Sequence, residues 1–556
     1  MSSPLIEFNN VYKQYQDNLV LNNITLKVNF GEIHALVGDN GAGKTTCVRL
    51  LAGLENPTNG VIKVANKRIG QFFAPKYQIS YAGQDTYFIS DFSVRQNIVL
   101  GNEPQFLKIF INWTKTEIKI EKLMRKYKIY VDLNKQFGIL SLSEQRKVTL
   151  LRALYQKPRI LVLDEPTVGL PLEQEEEFLP IFKSFIKDKI TVIFSTRSKE
   201  FAKAVSNHYS LLNKGRIVWT KHNKNVLKVK KIQHKYWTTM IDHKKESFKK
   251  RELVLYAEDI SFNKRNYPKL EGIDLILQVG EILGVYDRTN ISSSLIGDII
   301  SGKTKSPTVR IFFKNDSINK KNQAYRYKLG IDLVPENFLQ DATIDTYSLI
   351  DNFILWHHNN PKYLNAGVLR RDDIWFKLKK ILQNYQMPDF INGNSIANIL
   401  SNGELQKFVL ARTLETNPKV VILVNPLMHL DNDSAKLIIS RIIALQKKGV
   451  AFLLIDCDSH LLELLANRVT VIQNGRMVAT LEGDDVKSNI LNNPLILSKK
   501  REDLIDKHIQ ITKSELKYKS ISRKVLLWQK IINKITTVKD KIVQVIETIK
   551  IRITGG

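Results

Sequence analysis

The chain alternates short, continuous apolar runs with longer stretches in which apolar residues recur every three or four positions. Runs such as IHALV at 33–37 and RILVLD at 159–164 are typical of buried strands, and the amphipathic stretches between them are typical of helices that cover a sheet. Consecutive parallel strands need crossover segments of this length. The pattern therefore predicts an α/β fold in which each sheet core is mainly parallel.

The pattern occurs twice along the chain. PRILVLDEP at 158–166 aligns with PKVVILVNP at 418–426, and GEI at 31–33 aligns with GEI at 280–282. Self-similarity of this kind indicates two copies of one structural unit. The predicted organisation is a first domain at 1–225, a lysine-rich linker at 226–252, a second domain at 253–490 and a basic tail at 491–556.

Charge and cysteine content narrow the class of protein. The chain has 84 Lys and Arg against 55 Asp and Glu, a net charge of +29. Such charge attracts nucleic acids and anionic membranes, but lysine is abundant everywhere in the chain, and we do not expect a nucleic-acid partner.

Cys47 and Cys457 are too few for a disulfide framework and are expected to be buried thiols. No run reaches the roughly 18 apolar residues of a membrane span, and no signal peptide is evident, so we expect a cytoplasmic protein.

GDNGAGKT at 38–45 satisfies the pattern G-x-x-x-x-G-K-[ST] between a predicted strand and a predicted helix. Glycines let backbone N–H groups surround phosphates, Lys44 reaches the outer phosphates, and the Thr45 hydroxyl coordinates Mg²⁺. The pattern predicts ATP and Mg²⁺ as ligands. The nucleotide-binding residues expected in this segment are Gly38, Asp39, Asn40, Gly41, Ala42, Gly43, Lys44, Thr45 and Thr46.

Asp164 and Glu165 follow the apolar run LVL at 161–163. A solvated acidic strand end would explain the pair by itself, but the phosphate loop upstream favours a catalytic interpretation. We expect Asp164 to be a metal ligand and Glu165 to be the base that activates the attacking water of an ATPase.

These residues resemble the ATP-binding-cassette (ABC) ATPases, and more narrowly the tandem type that drives import of ribose, galactose or nucleosides. The resemblance covers roughly residues 5–490, and its narrower part rests on GIDLVPE at 330–336 and, more weakly, on GVLRRD at 367–372. It implies two tandem cassettes, each with a sheet core and a helical subdomain.

The resemblance assigns further roles in the first copy. It implies that Gln84 senses the metal and couples to a transmembrane subunit, and that SVRQNIVLG at 93–101 opens the helical subdomain. It also implies that Tyr15 stacks on adenine. Tyr12 is an alternative for this role, and Tyr15 could equally be a plain core residue.

The second copy departs from the family at its own nucleotide position. It has Ser293 where the first copy has Lys44, and Val424 and Asn425 where the first copy has its two carboxylates. Losing one charge-assisted phosphate contact costs about 1.5–3 kcal/mol. The second copy is therefore predicted to bind phosphate poorly and not to hydrolyse ATP.

In ABC ATPases two cassettes meet head to tail, and each phosphate loop faces the signature segment of the other copy. The second copy keeps the signature LSNGE at 400–404, whereas the first copy has LSLSE at 140–144, with Ser143 in the glycine position. The resemblance therefore implies one competent ATP site, in which Ser401 and Gly403 complete the first phosphate loop.

Two further positions depart from the family pattern. Pro171 replaces the aspartate that is usual in the family, on the side of the second copy's phosphate position. Thr196 replaces the histidine that contacts the γ-phosphate at the competent site. We expect Thr196 to slow hydrolysis, with ATP binding without turnover as the alternative.

The function implied is the energy-coupling ATPase subunit of an importer for monosaccharides or nucleosides. Its partners would be hydrophobic permease subunits and, through them, a substrate-binding protein. It would lie at the cytoplasmic face of the membrane. A soluble tandem-cassette factor acting on ribosomes and a regulator that binds ATP with little turnover are the alternatives.

In the tail, an apolar stripe from Val525 to Ile549 predicts a basic helix that lies on a membrane, on a partner or on the second domain.

Overall fold

The computed structural model describes residues 4–15, 18–69, 78–83, 88–106, 110–223, 226, 252–264, 267–288, 292–314, 316–355, 363–365, 368–388 and 391–491. Gln84, nearly all of the predicted linker and the predicted tail beyond Leu491 lie outside these residues. Within the described part, no helix is both long and apolar enough to cross a lipid bilayer.

The first copy alternates strands and helices as its hydrophobic pattern predicts. Its strands are β1 (Ile6–Tyr15), β2 (Asn18–Val28), β3 (Ile33–Val37), β4 (Asn59–Val64), β5 (Lys67–Arg68), β6 (Ile79–Ala82), β7 (Gln105–Phe106), β8 (Phe110–Ile111), β9 (Ile160–Asp164), β10 (Thr191–Thr196), β11 (His208–Asn213) and β12 (Arg216–His222). Its helices are α1 (Lys44–Leu51), α2 (Val94–Val99), α3 (Trp113–Tyr127), α4 (Leu142–Tyr155), α5 (Leu172–Glu175), α6 (Leu179–Lys187) and α7 (Lys199–Val205), with 3₁₀ turns at Phe137–Ile139 and Glu176–Phe178.

Two sheets enclose α1 in the first copy. The larger sheet has the strand order β12-β11-β3-β10-β9-β6, and within it only β12 runs antiparallel to its neighbour. The smaller sheet, β2-β1-β4-β5, is antiparallel. Apolar residues of α1, among them Val48 and Leu51, pack with both sheets in one core cluster. The sequence pattern predicts the parallel sheet but not the antiparallel one.

The second copy repeats this plan. Its strands are β13 (Leu253–Phe262), β14 (Leu270–Gln278), β15 (Ile282–Tyr286), β16 (Arg310–Phe313), β17 (Asp316–Ser317), β18 (Ile331–Val334), β19 (Leu364–Asn365), β20 (Val368–Leu369), β21 (Val420–Val424), β22 (Ala451–Asp456), β23 (Arg468–Gln473) and β24 (Arg476–Glu482). Its helices are α8 (Ser293–Ser301), α9 (Gln323–Lys328), α10 (Phe338–Asp341), α11 (Leu349–Ile354), α12 (Arg371–Asn384), α13 (Asn402–Leu414), α14 (Asn432–Lys447), α15 (Ser459–Leu465) and α16 (Ser488–Leu491), with 3₁₀ turns at Ala397–Ile399 and Gly483–Asp485.

The mainly parallel core of the second copy has the order β24-β23-β15-β22-β21-β18, in which only β24 runs antiparallel to its neighbour, and it matches the first copy strand for strand. A pairing between Glu271 and Arg476 joins this core to the antiparallel strands β17-β16-β13-β14. The predicted repeat and the predicted α/β class are both confirmed. Cys47 is buried as expected, but Cys457 is only partly buried, because it lies at the end of β22 beside a cavity.

Candidate functional site

The predicted phosphate loop runs from the end of β3 to the start of α1. Gly41 and Gly43 have φ angles of 75° and 98°, a region that side chains disfavour. At Gly38 an added Cβ atom would lie 2.4 Å from the carbonyl oxygen of Leu212. The glycines are therefore required by backbone conformation and by close packing. A loop of this kind at a helix N-terminus is the arrangement that binds phosphate groups.

Lys44 is buried, with 5% of its surface exposed. Its Nζ donates a hydrogen bond to the carbonyl oxygen of Asp39 at 2.9 Å and lies 3.2 Å from Oε1 of Glu165. On the other side of this carboxylate, Nε of Arg197 lies 3.2 Å from Oε2 of Glu165. Two cations thus compensate the charge of Glu165 in a poorly solvated position.

Asp164 is 2% exposed at the end of β9. Its Oδ1 accepts hydrogen bonds from Oγ1 of Thr45 at 3.2 Å and from Oγ of Ser195 at 2.5 Å. Burial raises the pKa of Asp164, and the hydrogen bond from Ser195 and the charge of Lys44 only partly oppose this shift. Hydroxyl and carboxylate oxygens are the ligands that Mg²⁺ prefers. The pair of Thr45 and Asp164 therefore fits Mg²⁺, whose charge would favour the ionised carboxyl group.

The backbone of Glu165 is strained, with a φ angle of 48°. Oγ of Ser195 accepts a hydrogen bond from the backbone N–H of Glu165 at 2.8 Å while it donates to Asp164. The corresponding residue of the second copy, Asn425, has a φ angle of 46°. Both copies therefore keep the bend after the strand, and Ser195 fixes the two carboxylates of the first copy relative to each other.

The second copy covers this site with its signature segment and with the loop after β21. Nδ2 of Asn40 donates to the carbonyl oxygen of His429 at 3.2 Å. Nη1 of Arg197 lies 3.2 Å from the same oxygen and 3.4 Å from the carbonyl oxygen of Leu430. A Cβ atom on Gly403 would lie 2.8 Å from the His429 oxygen and 2.9 Å from Asn40 Nδ2. Gly403 therefore lies in direct contact with the first phosphate loop.

Ser401 lies two residues before Gly403 and caps the N-terminus of α13. Its Oγ donates to Oε2 of Glu404 at 2.7 Å and accepts from the backbone N–H of Glu404 in a capping box. Ser401 is exposed, so its hydroxyl is accessible. Its proposed contact with a γ-phosphate stays a prediction.

A cavity of about 670 Å³ lies between the two copies. Its walls include the phosphate loop, the strand ends and the loop after β10 of the first copy, together with the loops after β21 and β22 of the second copy. Among the lining residues are Asp39, Asn40, Glu165, Thr196, Arg197, Asn425, Leu430, Asp431, Asp456 and Cys457.

On the opposite side, the signature position of the first copy is Ser143, whose hydroxyl bonds within its own copy. Oγ of Ser143 donates to Oε2 of Glu177 at 3.1 Å. Pro171 precedes α5 without a side-chain cap, whereas Asp431 caps α14 with its carboxylate. Nε2 of Gln174 crosses to the carbonyl oxygen of Arg288 at 2.7 Å. The two sides of the contact between the copies are therefore built differently.

The second copy has Val424 and Asn425 at the strand end that matches Asp164 and Glu165 of the first copy. Val424 is 2% exposed and packs toward Gly297, and Nδ2 of Asn425 donates to Oε1 of Glu336 at 3.0 Å. Burial and the neighbouring Asp458 raise the pKa of the nearby Asp456 well above its ordinary value. Acidic and apolar side chains at this position disfavour a phosphate group.

Tyr15 lies beside α1, where its hydroxyl donates to the carboxylate of Glu55. Burial, together with Glu55, raises the pKa of Tyr15 to about 12. The residue is 41% exposed, and Nζ of Lys13 lies 4.8 Å from its ring centroid. Tyr12 is half-buried and pairs with Asn59 across β1 and β4. The exposed ring of Tyr15 is the better placed of the two for base stacking, which stays a prediction.

Thr196 ends β10 and is 3% exposed. Its Oγ1 accepts a hydrogen bond from the backbone N–H of Ser198 at 3.0 Å, and its carbonyl oxygen accepts one from Gly38 at 3.3 Å. Ser195 and Arg197 flank Thr196 and also contact the two carboxylates, a role that no sequence motif indicates. His429 contributes a backbone carbonyl oxygen, which no side-chain pattern can reveal.

The chain is similar to known ATP-binding proteins. The ABC transporter family model matches residues 21–168. The nucleoside import ATP-binding protein NupA of Lactococcus lactis subsp. cremoris is 26% identical over 486 residues, which cover 85% of this chain and 94% of that protein. The ribose import ATP-binding protein RbsA of strain SK11 of the same subspecies is also 26% identical, over 86% of this chain and 96% of that protein.

The first copy matches the ABC transporter family, and the chain as a whole is similar to import ATP-binding proteins. A solved nucleotide-free cassette from an ABC transporter, 20% identical, spans 40% of this cassette protein and 94% of its own chain at a TM-score of 0.36. The two named import proteins align over most of the cassette protein and hence over both copies.

Proposed function

We propose that this cassette protein is the ATP-hydrolysing, energy-coupling subunit of an importer, with one competent ATP site shared between its two copies. The observation that carries the proposal is the meeting of Lys44, Asp164 and Glu165 in the first copy with Gly403 and the His429 carbonyl in the second. The relatives NupA and RbsA are named as nucleoside and ribose import proteins, which supports a nucleoside or a monosaccharide as the transported substrate.

In this proposal, the first phosphate loop and Lys44 bind the phosphates of ATP, and Thr45 and Asp164 hold Mg²⁺, which neutralises phosphate charge. The outer phosphate would compete with Glu165 for Lys44, since Lys44 now pairs with that carboxylate. Released from Lys44, Glu165 can accept a proton from the attacking water.

Arg197 links hydrolysis to the contact between the copies. Its guanidinium group contacts the Glu165 carboxylate in its own copy and two carbonyl oxygens in the other copy. A shift of the second copy therefore changes the position of the catalytic base. This is the kind of coupling that a transport ATPase requires, because hydrolysis should follow closure of the two cassettes.

The nucleotide position of the second copy supports a cycle in which only one of the two copies hydrolyses ATP. Ser293 replaces the phosphate-loop lysine, and Val424 and Asn425 replace both carboxylates. We infer that the second copy contributes its signature segment to the competent site and hydrolyses no ATP. A regulator that binds ATP with little turnover remains the second candidate, because Thr196 stands at the position where the family has a histidine.

The proposal places the protein at the cytoplasmic face of the membrane, bound to permease chains that work with a substrate-binding protein. The test is purification from membranes with and without the permease genes. Recovery of the cassette protein with hydrophobic permease chains, lost when those genes are deleted, is the expected result. Recovery on ribosomes that withstands moderate salt would overturn the proposal.

A further inference from the structure

A buried cluster of one carboxylate and two imidazoles lies at the other end of β3 from the phosphate loop. Glu32 is 7% exposed just before β3, His34 is 1% exposed on β3, and the His208 side chain is 29% exposed at the start of β11. His34 and His208 are register partners on these neighbouring parallel strands. One potential ligand atom from each of the three residues lies within 4.8 Å of the others.

Both imidazoles direct the same atom at the same carboxylate oxygen. Nδ1 of His34 and Nδ1 of His208 each lie 2.9 Å from Oε1 of Glu32. The second oxygen, Oε2, is occupied by hydrogen bonds from the backbone and side-chain N–H groups of Asn29, at 3.0 and 2.9 Å. Oε1 is thus left to the two histidines.

The outer nitrogens of both rings have partners of their own. Nε2 of His34 lies 2.8 Å from Oγ of Ser210, which in turn bonds Oγ1 of Thr220 at 2.7 Å. Nε2 of His208 lies 2.9 Å from Nδ1 of His222. If each Nε2 carries the proton of a neutral ring, each Nδ1 points a lone pair at the Glu32 oxygen. Nδ1 of His208 is buried and makes no hydrogen bond within the described part of the chain.

In the second copy, an arginine neutralises the corresponding carboxylate. Glu281, the counterpart of Glu32, is fully buried and accepts hydrogen bonds from Nε of Arg468 at 2.6 Å and from Nη2 of Arg468 at 3.2 Å. Arg468 pairs in register with Leu283, as His208 pairs with His34. The first copy therefore has His208 where the second has the arginine, and His34 where the second has Leu283. A permanent cation is replaced by two imidazoles.

We propose that Glu32, His34 and His208 bind a divalent transition-metal ion of the zinc class, which takes the place of the arginine in the second copy. Two imidazole nitrogens and one carboxylate oxygen form a common zinc ligand set, with the fourth position left to water. Ligands about 2.0–2.1 Å from a tetrahedral zinc ion are about 3.3 Å apart, so the present 2.9 Å separations need to open by only about 0.4 Å.

A bound ion would require the ionised Glu32 carboxylate and an unprotonated Nδ1 on each histidine. The ion would connect β3 to β11, two strands that meet again where Gly38 packs against Leu212.

The test uses the untagged full-length chain, stripped with a chelator and dialysed against micromolar Zn²⁺, with bound zinc measured by mass spectrometry. The matched variants carry the residues of the second copy: His34→Leu and His208→Arg. His208→Arg should fold, because it recreates the ion pair seen between Glu281 and Arg468. The control is His460→Glu, which places the first-copy residue at a histidine outside the cluster.

We expect about one zinc ion per chain in the wild type and in His460→Glu, and more than about tenfold weaker binding in the two cluster variants. Co²⁺ in place of zinc should give the visible absorption of a tetrahedral site in the wild type, which decides the matter even if a variant fails to fold. Wild-type protein that binds no zinc and gives no such cobalt spectrum would overturn the proposal, as would undiminished binding in folded His208→Arg. In the first case the cluster holds a proton instead.

Discussion

Gly403 offers the sharpest test of the shared ATP site, since it has no side chain and touches the other copy. An added Cβ atom would lie 2.8 Å from the carbonyl oxygen of His429 in the same copy and 2.9 Å from Nδ2 of Asn40 in the first phosphate loop, whereas ordinary contact begins at 3.4 Å. The overlaps are therefore about 0.6 and 0.5 Å, in a contact that is already close-packed. These two atoms form a hydrogen bond with each other across the two copies. Gly403→Ala should therefore displace them and disrupt this contact between the copies.

The expected magnitude has two parts. Overpacking at a tight contact costs about 1–3 kcal/mol. Loss of the hydrogen bond from Asn40 to His429 costs about 0.5–1.5 kcal/mol more. Together these predict a fall in ATP turnover of about ten- to thousandfold. The helix itself should gain, because alanine favours α13 over glycine by about 1 kcal/mol.

Turnover and ATP binding are measured in Gly403→Ala and in Ser143→Ala, its matched control in the other signature segment. We expect Gly403→Ala to lose turnover while the first copy still binds ATP through Lys44. Ser143→Ala should be mild, because Ser143 contacts Glu177 of its own copy. Equal loss in both variants, or none in Gly403→Ala, would refute the assignment of the competent site.

Three further predictions concern single positions. Lys44→Ala should abolish most ATP binding and Ser293→Ala should leave it unchanged, with about one ATP per chain by calorimetry in the wild type; two equal sites would contradict this. Thr196→His should raise turnover by about tenfold or more if the missing contact with the γ-phosphate limits hydrolysis; unchanged turnover with ATP bound would place the limit elsewhere. Burial raises the pKa of Glu175 from 4.5 to about 7, so its contribution to stability is full below pH 4.5 and is lost as the pH rises through 7. Glu175→Gln should therefore stabilise the protein by up to about 3 kcal/mol at pH 8 and not at pH 4, as measured by urea unfolding; an equal effect at both pH values would contradict it.

The sequence by itself determined the features that depend on neighbours along the chain. The glycines, Lys44 and Thr45 of the phosphate loop lie within eight consecutive residues, so their order alone predicts the local conformation and the binding of phosphate. The internal repeat likewise revealed two copies of one α/β unit. The replacement of Lys44 by Ser293 in the second copy was also visible without a structure.

Only the tertiary structure decided which distant residues share one environment. Arg197 and His429 are far apart in sequence, and their contact depends on how two separately folded copies pack. Glu32 and His208 meet because β3 and β11 are neighbours in the sheet although seven other strands separate them along the chain. Hydrophobic periodicity reports which face of an element is buried and not which element covers it, so these contacts follow from packing alone.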